Sequence, residues 1–235
     1  VLTPDDIVKM MVDELQIKPS DKICDFCTGT GSFIIKCGNY SQNLYGCENN
    51  VERYSLAKCN FILHDLDYKN LSYNSCFSNK YKEGTFDKVI INPPFGCDGD
   101  KGEYKTDFNG EKKFVHLAVN LLKPGGIGCF IIPRGNFNSG KINKKFKEML
   151  LNTCRILKTI SCNEKVFSPV ASVACTIITV QKLPAGETGK EEQEAELVDY
   201  SQDGYNIFKN VRIKTGEKNM KSQHEILTPL NDWNY

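Results

Sequence analysis

Phe86-Asp-Lys-Val-Ile-Ile-Asn-Pro-Pro-Phe95 is the stretch on which the fold turns. Val89, Ile90 and Ile91 are consecutive, apolar and β-branched, which suits a strand buried on both faces of a parallel sheet. Pro93 and Pro94 then end it, since neither can donate a ladder hydrogen bond and each fixes φ. The Asn92 amide and the Pro93 carbonyl are left on a rigid rim, with the Phe95 ring close behind. Two acceptors beside a flat apolar face would hold a planar group bearing an exocyclic amine, such as adenine.

Working outward, Lys22-Ile-Cys-Asp-Phe26 reads as a first strand, followed by Cys27-Thr-Gly-Thr-Gly-Ser32 and the helical stretch from Phe33. Gly29 and Gly31 allow a tight strand-to-helix turn and a close ligand approach to the backbone. The helix start offers N–H groups to a carboxylate or other anion. Leu44-Tyr-Gly-Cys-Glu48 reads as a second strand ending in an acid, where folds of this kind bind ribose hydroxyls. The G-x-G alone says little about a cofactor. The ordered series of strand, glycine turn, helix, strand, acid and Asn-Pro-Pro-Phe says much more.

That series resembles the S-adenosylmethionine-dependent adenine-N6 DNA methyltransferases found as modification subunits of type I restriction systems and their fused relatives. The resemblance begins at Thr3-Pro-Asp-Asp-Ile-Val-Lys-Met10 and continues through Asp25–Phe33, Tyr45–Glu48 and Phe86–Gly96. It extends over Phe114–Arg134 and Phe167–Lys182. It implies S-adenosyl-L-methionine as cofactor, with Glu48 on the ribose and the Thr28-Gly29-Thr30-Gly31 turn seating the methionine moiety. Asp25 would hold the amino group, and Thr3 would stand near the amino-acid end, although helix capping alone also accounts for Thr3. Asn92, Pro93, Pro94 and Phe95 form the catalytic motif. Asn92 Oδ1 and the Pro93 carbonyl would accept from the adenine amine while Phe95 stacks on the flipped base. Phe167 matches a second base-contacting aromatic, and an ordinary core phenylalanine is its other reading.

Three positions depart from the family pattern: Phe26 stands for a proline, Thr28 for a cysteine, and Asn74 for the acid expected at the end of the third strand, with Asp65 and Asp67 as the alternatives for that acid. Asparagine can still accept from an exocyclic amine. The resemblance further implies double-stranded DNA, a specificity subunit or fused target-recognition domain, and a restriction subunit as partners. Two other readings stay open: a glutamine side-chain methyltransferase of release factors, and a catalytically impaired scaffold for a DNA-reading partner.

Composition adds bounds. The chain has 235 residues, is 40% hydrophobic and carries a net charge of +1, enough for one sizeable core but without a global basic field. Its only arginines are Arg53, Arg134, Arg155 and Arg212. No apolar run reaches membrane-spanning length, so no membrane partner is expected. The 11 cysteines are odd in number and scattered. Cys24-Asp-Phe-Cys27 has no second pair and the histidines are unclustered, so no metal site is assigned and a reducing cytoplasm is expected. The lysines Lys141, Lys144, Lys145 and Lys147 read as a solvated helix face.

The expected architecture is a doubly wound α/β domain: a mostly parallel, seven-stranded Rossmann-like sheet of the methyltransferase type, with an antiparallel last strand. Thr3 is expected to cap the first helix, with Asp6 completing a capping box. Strands are expected at 21–26, 43–47, Leu71–Phe77, 86–91, Ile127–Ile132, 155–162 and 171–181. Helices are expected near 31–38, 50–63, 111–122 and 140–151, with Lys123-Pro-Gly-Gly126 as a breaker. Residues 1–183 would form the catalytic domain. Residues 184–235 would form a β-hairpin, around Asp203-Gly204, and a connector from Thr215 toward a specificity region entered after Asp232-Trp-Asn-Tyr235.

Overall fold

Val89, Ile90 and Ile91 are wholly buried in the computed structural model of the chain, each contributing about 1.5–3 kcal/mol by leaving water. The structure describes residues 2–78, 81–97, 104–138, 140–168, 172–209 and 211–233. Parts of two quoted segments, residues 169–171 and 234–235, lie outside that description. The chain divides into two compact units, residues 2–130 and 131–235.

The first unit opens with α1 (Asp5–Glu14), which buries Ile7, Val8, Met11 and Val12 on one face. Its N-cap is Pro4, whose carbonyl accepts from the N–H groups of Ile7 and Val8, and no side chain caps it. The expected Thr3 capping box is therefore absent; the Thr3 hydroxyl is engaged elsewhere. β1 (Ile23–Asp25) leads through the glycine turn to α2 (Ser32–Cys37). β2 (Leu44–Glu48) is followed by α3 (Val51–Leu63), capped by the Asn50 side chain accepting from the Arg53 N–H. Then come β3 (Leu71–Tyr73), shorter than expected, and β4 (Phe86–Ile91). α4 (Gly110–Leu121) buries Phe114, Val115, Ala118 and Val119, and β5 (Leu122–Pro133) closes the unit.

Among the described residues the strand pairings of this unit are parallel: β1 with β2 and β4, β2 with β3, and β4 with β5. The order β3-β2-β1-β4-β5 follows. The chain winds outward from β1 to β3, then returns to place β4 on the other side of β1. This reversal makes a switch point, and the crevice outside the carboxyl ends of β1 and β4 is where such sheets bind ligands. One expectation fails nearby. Lys123-Pro-Gly-Gly126 does not precede β5 but interrupts its register: Leu122 pairs with Phe86, and pairing resumes at Ile127 with Lys88. The proline and glycines are accommodated as a bulge.

The second unit contains a one-turn 3-10 helix (Arg134–Phe137), α5 (Lys141–Thr153), β6 (Cys154–Cys162) and β7 (Cys175–Lys182). β7 is antiparallel to β6, as expected of the last strand. β8 (Gln193–Gln202) then pairs parallel to β6 on its other side, and β11 (Asn219–Leu227) pairs antiparallel to β8. These two strands lie beyond the expected seven. Thus the chain from Thr215 is no simple connector.

The hairpin is also displaced. β9 (Tyr205–Phe208) pairs with β10 (Val211–Lys214), not with β8, and Lys209 takes φ of 47° at the turn. Asp203-Gly204 forms the neck instead. The Asp203 carboxylate, nearly buried, accepts from the Tyr205 N–H and pairs with Arg212 at 2.8 Å. The Gly204 carbonyl accepts from Thr215 and Gly216. A side-chain salt bridge across the neck outweighs the local turn preference of Asp-Gly.

Lys147 corrects the reading of the lysine cluster. Lys141, Lys144 and Lys145 are exposed, but Lys147 is fully buried. Its Nζ donates to the carbonyls of Phe137 at 3.2 Å and Asn231 at 2.6 Å, while burial lowers its pKa from the usual lysine value. Beside it the fully buried Trp233 stacks on Phe137, centroids 5.5 Å apart, and donates its indole N–H to the Thr228 carbonyl.

Candidate active site at the switch point

Asp25 ends β1 and Glu48 ends β2, so the parallel pairing of these strands brings two acids to one rim. Each Glu48 carboxylate oxygen accepts a backbone N–H: Oε2 from Gly29 at 2.9 Å and Oε1 from Asn50 at 2.8 Å. The side chain is thus held rigid beneath the glycine turn, with lone pairs remaining for hydroxyls. Asp25 is wholly buried. Its Oδ1 accepts from the Cys27 N–H at 2.9 Å, but its Oδ2 has no hydrogen-bond partner among the described residues. Burial pushes its pKa up to about 8, the Cys27 N–H opposes this, and the Glu48 charge adds to the rise.

The turn between these acids follows from its glycines. Gly29 and Gly31 take φ of 56° and 95°, which L-residues with a Cβ rarely adopt. A Cβ on Gly29 would meet nothing nearer than the Cys27 carbonyl at 3.9 Å, so space beside the backbone is open there. Thr30 is fastened from behind, its carbonyl accepting from the Asn60 side chain.

Thr28, carried over as a cofactor contact, is nearly buried and has a structural task. Its hydroxyl donates to the Asp25 carbonyl at 2.5 Å and accepts from the Cys47 N–H at 2.9 Å, tying the turn to β2. Phe26 is buried as well. Neither departure removes a group that faces the crevice. Burial raises the Cys27 thiol well above its usual pKa, so it stays protonated. Asn74 stands next to Glu48 through the backbone, its N–H donating to the Glu48 carbonyl. Its exposed side-chain oxygen turns back onto the Ser75 N–H.

At the end of β4 the Asn92 side chain is half-buried, and its Nδ2 donates to Thr3 Oγ1 at 2.9 Å. This explains why Thr3 does not cap α1. With Nδ2 so used, Oδ1 is the acceptor end, and among the described residues nothing is hydrogen-bonded to it. Pro93 is buried, Pro94 exposed and Phe95 half-buried. The backbone after Phe95 is fixed by a residue that sequence reading missed. Gly96, at φ 65°, donates its N–H to Glu111 Oε1 at 2.6 Å, and Glu111 is nearly buried in the first turn of α4. An acid in a first helical turn is commonplace, so nothing in the sequence marked it. Phe167 belongs to the other unit and is buried in its core, 2% exposed.

The donor set fits one kind of ligand. A buried carboxylate oxygen without a partner suits a cationic amine, a clamped acid suits vicinal hydroxyls, and an open glycine turn suits close approach of a linking chain. S-adenosylmethionine carries all three parts.

Comparison with known proteins agrees. The family described as N-6 DNA Methylase matches residues 1–228. The chain is 27% identical over 246 residues to the type II restriction enzyme and methyltransferase RM.BcgI of Heyndrickxia coagulans, covering 97% of this chain and 37% of that protein. It is 30% identical over 222 residues to the type I restriction enzyme MjaVIII methylase subunit of Methanocaldococcus jannaschii, covering 81% of this chain and 38% of the relative. The chain therefore spans well under half the length of these relatives. The crystal structure of the type I restriction enzyme EcoKI M protein superposes with a TM-score of 0.76 at 17% identity, over 91% of this chain and 51% of that one. That likeness gives the fold, a doubly wound Rossmann-like α/β domain. With nearly its whole length matched, the chain belongs to the N-6 DNA methylase family.

Proposed function

We propose that the chain is the catalytic region of a site-specific DNA methyltransferase that transfers a methyl group from S-adenosyl-L-methionine to N6 of a flipped adenine, within a restriction-modification system. The observation that carries this reading is the Asn92 amide: its N–H end is engaged by Thr3, leaving Oδ1 as an acceptor beside the Pro93 carbonyl. Adenine N6 is a poor nucleophile because its lone pair is delocalised into the ring. Two acceptors on its hydrogens favour the pyramidal amine and aim the lone pair outward. No strong base is needed before transfer, since the proton becomes acidic only as the new N–C bond forms. The protein's contribution is alignment and charge complementarity.

The cofactor supplies an electrophilic sulfonium methyl. Asp25 would hold its amino group, Glu48 its ribose, and the Thr28–Gly31 turn its methionine chain, with Asn74 beside the adenine ring. Phe95 would stack on the flipped base, whereas the burial of Phe167 favours its reading as a core phenylalanine. Family membership favours DNA over a glutamine side chain as acceptor. The buried, structural settings of Phe26 and Thr28 speak against the scaffold reading. Residues 1–183 are assigned to catalysis. Residues 184–235 are assigned to the approach toward a specificity subunit or fused target-recognition domain, with a restriction subunit as further partner and the cytoplasm as the setting. No helix among the described residues is long and apolar enough to cross a membrane.

The test is methyl transfer from labelled cofactor to duplex DNA, measured with the specificity component present. Asn92→Ala should lower the rate by at least about a hundredfold, as for loss of a preorganised polar group, with cofactor affinity nearly unchanged. A folded variant that methylates adenine at the parental rate sinks the mechanism.

A further inference from the structure

The unit of residues 131–235 contains a cavity of about 500 Å³ to which none of the site residues above contributes. It lies at the carboxyl ends of the parallel neighbours β6 and β8, through Cys162 and Ser201. The β9–β10 hairpin walls it with Tyr205 and Arg212, and Arg134, directly after β5, completes it. Crevices outside the carboxyl ends of parallel strands are the usual ligand positions of α/β sheets.

Its chemistry is concentrated. Arginine is scarce in this chain, yet two of the four, Arg134 and Arg212, meet in this cavity together with Lys165. Both guanidinium groups are held in place. Arg134 Nη2 donates to the Cys162 carbonyl at 3.0 Å. Arg212 pairs with Asp203 at 2.8 Å and lies 3.8 Å from the Tyr205 ring centroid. Two acids, Glu164 and Asp203, also line the cavity. The near-buried Asp203 is engaged by Arg212 and the Tyr205 N–H, so its charge is largely met. Three cations thus stand against these two acids and against Asp199 close by, whose pKa the Ser201 hydrogen bonds and, to a lesser degree, the Arg134 charge help to lower, so the guanidinium geometry and not a net charge marks the cavity. A guanidinium presents several N–H donors in a rigid fork, so it can hold a protein acceptor on one edge and phosphate oxygens on another.

We propose that this cavity seats a phosphodiester of a nucleic-acid backbone, with Arg134 and Arg212 as the oriented donors and Lys165 as the mobile charge at its rim. The proposal rests on the DNA methyltransferase reading for the source of the phosphate; the anion chemistry is the cavity's own. A phosphate contact of this kind sets the position of a strand without reading its sequence.

The experiment follows a fluorescein-labelled DNA duplex by anisotropy over a range of salt concentrations, with the parent protein, Lys165→Glu and Lys190→Glu. Lys165 and Lys190 are both exposed, so neither change disturbs the fold, and Lys190 lies outside the cavity lining. Lys165→Glu should weaken binding about tenfold and reduce the slope of log affinity against log salt by about one, while Lys190→Glu stays within about twofold of the parent. Equal affinity and slope in Lys165→Glu and parent overturn the proposal, as does a parent protein that binds no duplex at low salt. Displacement of the duplex by inorganic phosphate at equal phosphate concentration identifies a free phosphate site and overturns it too. Calorimetric titration of the same proteins with S-adenosylmethionine separates the two claims. Cofactor binding with an unresponsive Lys165→Glu removes the cavity alone. Loss of cofactor binding with the salt effect intact removes the methyltransferase reading alone.

Discussion

Replacing Asp25 by asparagine should make the ligand-free protein more stable at neutral and alkaline pH and change little in acid. The side chain is wholly buried, and burial lifts its pKa from 3.8 to about 8. An acid whose folded pKa is raised contributes stability that is complete below its unfolded pKa and is lost as pH rises through the folded one. Between about pH 5 and about pH 7.5 the unfolded chain has released this proton and the folded protein still holds most of it. At about 1.4 kcal/mol per pKa unit, Asp25 alone then reduces stability by about 3 kcal/mol over that interval. Asparagine keeps the oxygen that accepts from the Cys27 N–H and has nothing to ionise. Urea denaturation of both proteins at the two pH values, without cofactor, measures the difference. The variant should lose about 3 kcal/mol less than the parent between them. Parallel pH dependences would show that Asp25 does not take up or release a proton on unfolding in this range, and would refute the reasoning from its burial.

Other expectations are more local. Glu48→Ala should weaken S-adenosylmethionine binding by about 1.5–3 kcal/mol, the range for hydrogen bonds to a charged group, read by calorimetry; unchanged affinity in a folded variant removes Glu48 from the site. Cofactor binding to the parent between about pH 6 and about pH 8 should release up to one proton, as an amine beside Asp25 favours its ionised form, and Asp25→Asn should abolish that release; equal heats in buffers of different ionisation enthalpy would refute this. Gly46→Ala should destabilise by about 1–3 kcal/mol, because the added Cβ would lie 2.7 Å from Leu71 Cδ1 and 2.8 Å from Thr28 Oγ1; a variant with parental melting temperature contradicts that packing. Trp233→Ala should cost about 3–5 kcal/mol, as for other large-to-small changes in a core, and thermal melting decides it.

The switch-point fold was legible because its strands announce themselves. Val89–Ile91 and Ile127–Ile132 are apolar runs, Cys175–Val180 is rich in β-branched residues, and each occupies a strand with little exposure. β11 carried no such signal, since seven of its nine residues are exposed and six are polar, and its pairing with β8 depends on backbone bonds that composition does not encode. Asp203-Gly204 was read as a turn because local chemistry favours one; a partner nine residues away, Arg212, decided otherwise. Lys147 looked solvated on its own helix, and only the carbonyls of Phe137 and Asn231 show why it is buried. At the crevice, the placing of Asp25, Glu48 and Asn92 at the ends of β1, β2 and β4 was readable from motif order. The tasks of Thr3 and Glu111 were not, because each acts across the fold on a loop it does not belong to.

The two sides of the crevice differ in how far along the chain their closing bonds reach. Glu48 and Gly29 are 19 residues apart, whereas Thr3 and Asn92 are 89 apart. Closing the longer loop costs about 1.4 kcal/mol more chain entropy, from three-halves RT times the logarithm of that ratio. Contacts of short span also form sooner during folding than contacts of long span. The Glu48–Gly29 clasp can therefore mature while the β1–β2 segment folds locally. The Thr3–Asn92 link must wait until β4 has docked beside β1. Newly made chains are therefore expected to close the Glu48 side of the crevice before the Asn92 side.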